Sequence, residues 1–161
     1  MPPAPRHETD TNIHHDSSED PEVYIASDHR GFAVKQDIIA KHPHFTDLGP
    51  FEYDAEDDYN DYAKMVAKSV QKSNSARGII ICGSAHGVTI QANRYKGIRA
   101  IAGLNQHLAK IGREHNDANI LCLSADFTDN GDIEDIIETF LRTRAFTEEK
   151  YIRRNHKLDE E

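Results

Sequence analysis

From Glu22 onward, short apolar runs rich in β-branched residues alternate with segments whose apolar positions recur at helical spacing. The runs VYIAS (23–27), FTDL (45–48), GIIIC (78–82), IRAIAGL (98–104) and NILCLS (119–124) read as strands. Between them, DYNDYAKMVAKSVQKS places Tyr62, Ala63, Val66, Ala67 and Val70 on one helix face, with Asp58 available as an N-cap. GDIEDIIETFLRTRAF repeats the spacing through Ile133, Ile136, Ile137, Phe140 and Leu141. Strands apolar on both faces and alternating with helices imply a parallel sheet covered on each side by right-handed crossovers. The expected fold is α/β, a three-layer α/β/α Rossmann-like domain. Ligands of such sheets bind beyond the carboxyl ends of the strands, near the point where strand order reverses.

Composition narrows this picture. Residues 1–21, with several prolines, many charges and few apolar side chains, cannot repay the entropy of ordering and read as a disordered tail. His14 and His15 could hold a metal there, although a solvated polar tail accounts for them as well. Residues 22–161 then form one domain that includes a C-terminal helix. A net charge of −9 argues against a nucleic-acid partner, whose phosphates need clustered cations. No apolar run reaches the roughly 20 residues of a membrane span, and the N-terminus lacks the order of a secretory signal. Cys82 and Cys122 have no partner at metal-ligand spacing, so neither a disulfide framework nor a zinc site is expected, and a cytoplasmic location fits best.

Two strand-to-helix turns carry candidate chemistry: SDHRGF (27–32) and CGSAHG (82–87). Small residues at a helix start expose N–H groups that bind anions, although tight turns also need glycine for steric reasons alone. A cysteine at the last strand position, facing such N–H groups, is expected to have a lowered pKa and to serve as a base or nucleophile. Cys82 fits that description, whereas Cys122, flanked by apolar residues, reads as core. A third cluster, REHNDAN (113–119), gathers His115, Asn116 and Asn119 and calls for a ligand or a satisfied polar network.

The segments IASDHRGFAVK (25–35), DYNDYAKMVA (58–67), GIIICGSAHGVTIQANRYKGIRA (78–100), REHNDANIL (113–121) and KYIRR (150–154), in this order, resemble the B-type ribose 5-phosphate isomerases, a family that includes galactose 6-phosphate isomerase subunits. The resemblance implies a five-stranded parallel sheet and a homodimer whose active sites borrow residues from the partner. It also implies aldose–ketose isomerisation of ribose 5-phosphate and ribulose 5-phosphate through an enediolate, with no metal or cofactor. On this chain Cys82 would move the proton between C2 and C1, Ser84 and the amides of Gly83, Ala85, His86 and Gly87 would hold the enediolate oxygen, and His115 would assist ring opening. Asp28, His29, Tyr59 and Asn116 would line the sugar, with Lys150 and Arg154 near the phosphate.

Three departures from the family pattern stand out. Ala85 replaces a glycine, which costs about 1 kcal/mol if that position needs positive φ. Asn60 replaces a proline, a change expected to alter only turn stiffness. Asp126 stands where an arginine usually reaches the phosphate, leaving Arg30, Lys150, Arg153 and Arg154 to compensate. His86 either faces the sugar or points to solvent. The alternatives are a six-carbon sugar phosphate such as allose or galactose 6-phosphate, or a non-catalytic sugar-phosphate-binding homologue. A dinucleotide site is disfavoured because the first turn lacks Gly-x-Gly-x-x-Gly.

Overall fold

The computed structural model describes residues 20–160. The expected tail, through residue 19 and with His14 and His15, lies outside the described residues.

Five strands, β1 (Val23–Ser27), β2 (Thr46–Asp47), β3 (Arg77–Cys82), β4 (Ala100–Ala102) and β5 (Ile120–Ser124), form one parallel sheet in the order β2-β1-β3-β5-β4. The three inner strands follow the apolar runs closely. The two edge strands are shorter than the sequence pattern suggests, and local groups explain both. After β2, Leu48 N–H still bonds Ile25 C=O at 2.8 Å, but Gly49, at φ 106°, then turns the chain away. At the outer edge of β4, the Asn93 amide takes both the N–H and the C=O of Ala100, at 2.8 and 2.9 Å, ending further pairing there.

Helices α1 (Phe32–Lys41), α4 (Gln106–Asn116) and α5 (Ile133–Arg142) supply one outer layer, and α2 (Tyr59–Val70) and α3 (His86–Ala92) the other. Strand side chains alternate between the layers, so in β3 Ile79 and Ile81 join the first while Ile80 and Cys82 join the second. Phe140, Ile136 and Ile137 of α5 are fully buried, each contributing roughly 1.5–3 kcal/mol of transfer free energy. Asp58 does occupy the N-cap of α2, but its side chain accepts no capping bond. The sixth helix, α6 (Glu149–Leu158), buries no residue fully and leans on α4, where Asn155 donates to His115 C=O at 3.2 Å. Among the described residues no helix is long and apolar enough to cross a membrane.

From β1 the chain passes through α1 to β2 on one side, and from β3 it proceeds to strands on the other. The strand order therefore reverses between β1 and β3, and the turns at their carboxyl ends border the crevice in which a ligand is expected.

Candidate active site

The two turns flanking this crevice are held against each other by backbone contacts. Asp28 N–H bonds Ile81 C=O at 3.2 Å, and Gly31 passes so close that a Cβ there would lie 2.6 Å from the same oxygen. Only glycine permits this approach. Asp28 is buried, accepts Gly31 N–H at 3.1 Å on its side chain, and is pushed up in pKa chiefly by burial. Beneath it, the fully buried Lys35 ammonium binds Asp47 Oδ1 and Pro50 C=O, both at 2.7 Å, and so fixes the segment whose Gly49 C=O takes Ser27 N–H.

On the β3 side, Cys82 is 5 % exposed and its Sγ accepts the Ala85 N–H at 3.2 Å. Ala85 sits in the left-handed region at φ 67°, as the departure from glycine anticipated, at a cost of about 1 kcal/mol. The expected lowering of the thiol pKa is not observed. Burial pushes the Cys82 thiol up, and the nearby Asp28 carboxylate adds to the rise, against the opposing pull of the Ala85, Val88 and Ser84 amides. Desolvation of a thiolate in the α2/α3 layer outweighs a helix start only seven residues long. Among the described residues no protein acceptor takes the amides of Gly83 and Gly87, and Ser84 Oγ accepts His86 N–H at 3.3 Å. Cys122 behaves as core, fully buried, with its thiol pushed up to about 12 by burial.

Two more predicted residues converge here. Tyr59 lays its ring over Gly87, where an added Cβ would meet Cζ at 2.6 Å. His29 lies between Asp28 and Asp57, with Asp57 Oδ1 taking its backbone N–H at 3.0 Å and its Nδ1 at 2.7 Å. That carboxylate raises the His29 pKa, which favours imidazolium and leaves Nε2 free to donate. His86 is exposed at the start of α3. Asn60 does more than alter turn stiffness, because its amide donates to Gln91 at 3.0 Å and ties α2 to α3.

Other predicted residues lie elsewhere in the chain. His115 and Asn116 end α4, next to the start of β5, whereas Cys82 is paired with Ser124 at its finish. Five strand residues separate these ends by about 13 Å. His115 stacks on Tyr151 with ring centroids 5.2 Å apart, Lys150 lies over that same ring, and Arg154 is exposed on α6. Asn119 forms the satisfied network, bonding Arg99 N–H at 2.8 Å and Gly97 C=O at 2.8 Å, so its role is structural. A cavity of about 370 Å³ opens at this far end, lined in part by Arg77, Lys96, Arg99 and Asn155.

Sequence reasoning missed Asp57 altogether. The run YDAEDDY offers several carboxylates, and only the fold selects the one that meets His29. It also missed that Arg30 and Asp126, from different turns, form an ion pair.

The family model described as Ribose/Galactose Isomerase matches residues 23–158. A probable ribose-5-phosphate isomerase B from Mycoplasma genitalium is 40 % identical over 126 residues, covering 74 % of this chain and 82 % of the relative. The solved structure of ribose-5-phosphate isomerase B from Mycoplasma genitalium with bound ribulose-5-phosphate superposes at a TM-score of 0.79 with 38 % identity, covering 85 % of this chain and 93 % of that one. The enzyme from Thermotoga maritima gives a TM-score of 0.81 at 35 % identity, covering 89 % of this chain and all of the other.

Proposed function

The chain belongs to the ribose/galactose isomerase family, and from that premise we propose that it interconverts ribose 5-phosphate and ribulose 5-phosphate, with Cys82 as the base. The observation that carries the reading is the Cys82 sulfur at a strand tip in the switch-point crevice, with the Ala85 amide aimed at it from 3.2 Å. The relative with bound ribulose-5-phosphate shares this fold at 38 % identity.

In the forward direction the Cys82 thiolate takes the C2 proton of the open-chain aldose and the C1 oxygen gains the negative charge of the enediolate; the C2 hydroxyl proton then passes to the C1 oxygen, and the thiol returns its proton to C1 as the C2 carbonyl forms. The amides of Gly83 and Gly87, with Ser84, stabilise that charge. A preorganised donor of this kind is worth about 3–4 kcal/mol in the transition state. The raised thiol pKa cuts the thiolate population at neutral pH and increases the proton affinity of the thiolate that forms; the rate follows the product of the two. Asp28, His29 and Tyr59 line the sugar.

The remaining groups come from a second copy of the chain. His115 and Asn116, about 13 Å away along β5, cannot reach Cys82 of their own chain. A homodimer that sets α4 and α6 of one protomer over the crevice of the other supplies His115 for ring opening, Asn116 for the sugar, and Lys150 and Arg154 for the phosphate. Phe51, Tyr53 and Phe127, 73 %, 62 % and 80 % exposed, follow the carboxyl ends of β2 and β5 and offer an apolar surface for that contact.

Complementation tests base and dimer together. Cys82→Ala and His115→Ala are each expected to abolish turnover of ribose 5-phosphate. Mixed, unfolded and refolded in equal amounts, they regain about a quarter of wild-type sites, because half the dimers are mixed and each mixed dimer holds one intact site. Full activity of Cys82→Ala would reject the base, and no recovery on mixing would reject the shared site.

A further inference from the structure

The Arg30–Asp126 pair lies against the loop that holds the developing charge. Asp126 N–H donates to Gly83 C=O at 3.1 Å, Ala125 N–H to Cys82 C=O at 2.8 Å, and Ser124 Oγ to Gly83 C=O at 2.7 Å. The end of β5 is thereby clamped to the start of the loop. The Asp126 carboxylate comes back over Gly83, with Oδ2 3.0 Å from where a Cβ would stand, and it accepts Arg30 Nη2. Arg30 crosses from the β1 turn, bringing Cγ and Nε within 3.8 Å of the same point. One guanidinium N–H is used in this pair. The fork presents five, and among the described residues no protein group takes the others.

We propose that Arg30 is the cation that this chain itself supplies to the phosphate dianion of the substrate, and that Asp126 is a positioning residue that holds the Arg30 fork over Gly83. The inference rests on the sugar-phosphate reading above and adds to it the residue that selects a phosphorylated substrate. An aspartate beside an anion site is by itself repulsive. In the ion pair its charge is balanced by the guanidinium, and the carboxylate fixes a donor that would otherwise sweep through solvent on a long side chain. Both side chains are well exposed, at 56 % and 36 %, so the fork can meet a ligand without uncovering any core. Arginine suits the task because its planar fork can hold a carboxylate on one edge and a phosphate on another.

The test uses inorganic phosphate as well as substrate. In the wild-type protein, phosphate should slow alkylation of Cys82 by iodoacetamide, a readout that needs no turnover. Arg30→Met is expected to weaken that protection at least tenfold and to raise KM for ribose 5-phosphate at least tenfold, with kcat changed less than threefold. Asp126→Ala should weaken protection by a smaller factor, and Arg30→Met/Asp126→Ala should be no worse than Arg30→Met alone. Equal phosphate protection in wild type and Arg30→Met overturns the role of Arg30. Tighter phosphate binding by Asp126→Ala overturns the positioning role, since repulsion would then be the dominant effect of the carboxylate. If the wild type neither binds phosphate nor isomerises the sugar, the functional reading itself fails; if it does both while Arg30→Met keeps its KM, only this inference fails.

Discussion

Replacing Gly87 by alanine should disable the site while leaving the fold intact, because the added methyl meets a single mobile ring. An alanine Cβ would lie 2.6, 2.7 and 3.0 Å from Cζ, Cε2 and Cε1 of Tyr59. Carbon atoms rest near 3.5 Å or beyond, so the ring must retreat by roughly 1 Å. Tyr59 can do so cheaply: it is the first residue of α2, 38 % exposed, and free to swing outward. Gly87 has no positive φ and belongs to α3, where alanine is the better helix former by up to about 1 kcal/mol. Global stability should therefore stay within about 1 kcal/mol of wild type by urea unfolding. A misplacement of about 1 Å in a substrate-positioning group costs on the order of 100-fold, so kcat/KM for ribose 5-phosphate should fall by roughly that factor, or about 2.7 kcal/mol. The comparison that decides the cause is Tyr59→Ala alone against Gly87→Ala/Tyr59→Ala. If the methyl acts by displacing the ring, the double variant is no slower than Tyr59→Ala. Multiplying losses would refute the reasoning, as would wild-type kcat/KM in Gly87→Ala.

Lys35→Met should cost about 3–5 kcal/mol in urea unfolding, because it leaves Asp47 Oδ1 and Pro50 C=O without their buried donor, and adding Asp47→Asn should recover part of the loss; a cost below about 1 kcal/mol would show that the pair does not hold this segment. Cys82 should alkylate slowly at neutral pH and faster as the solution is made alkaline, with a midpoint above that of an ordinary thiol, while Cys122 stays inert throughout; a midpoint below the ordinary value would contradict the dominance of burial. The raised His29 pKa adds stability that is fully present below the unfolded value of about 6.5 and is lost as pH rises through the folded value. Asp57→Asn should therefore flatten the pH dependence of Tm above pH 6.5, and an unchanged slope would mean that Asp57 does not hold the imidazolium.

How much of this was legible in the sequence depended on whether the deciding interaction was local. Helix α5 and strand β3 follow from apolar spacing, since each residue's burial is set by its own position in a repeating pattern. The short edge strands do not, because Asn93 ends β4 from seven residues away. Cys82 and its turn were found because a strand tip, small residues and a helix start are contiguous in the chain. The sign of its pKa shift was not, since that depends on how tightly α2 and α3 close over the sulfur. Asp57 and the Arg30–Asp126 pair join segments 28 and 96 residues apart, and no periodicity encodes such a meeting. Asp126 was noticed only as a departure from a family pattern, which suggested a lost cation; that it pairs with Arg30 is visible only in the fold.

The strain at Ala85 connects these observations. A left-handed residue after a strand tip turns its N–H back toward the residue three positions earlier, and here that residue carries the sulfur. A right-handed alanine would aim the amide elsewhere and deprive the thiolate of the first of its three backbone donors, leaving those of Val88 and Ser84. The surroundings keep the strained conformation in place: Ala85 is fully buried, its C=O accepts both Thr89 Oγ1 at 2.6 Å and Thr89 N–H at 3.3 Å, and the Asn60–Gln91 bond fixes α3 to α2. Strain of this kind persists only where packing over-determines it. Glycine would adopt the same φ without strain, yet would also relax toward other conformations, so the alanine methyl in the α2/α3 layer trades about 1 kcal/mol of backbone energy for a loop with one geometry. A thiol that burial makes scarce as thiolate gains most from such rigidity, because each thiolate that forms already faces its stabilising amide.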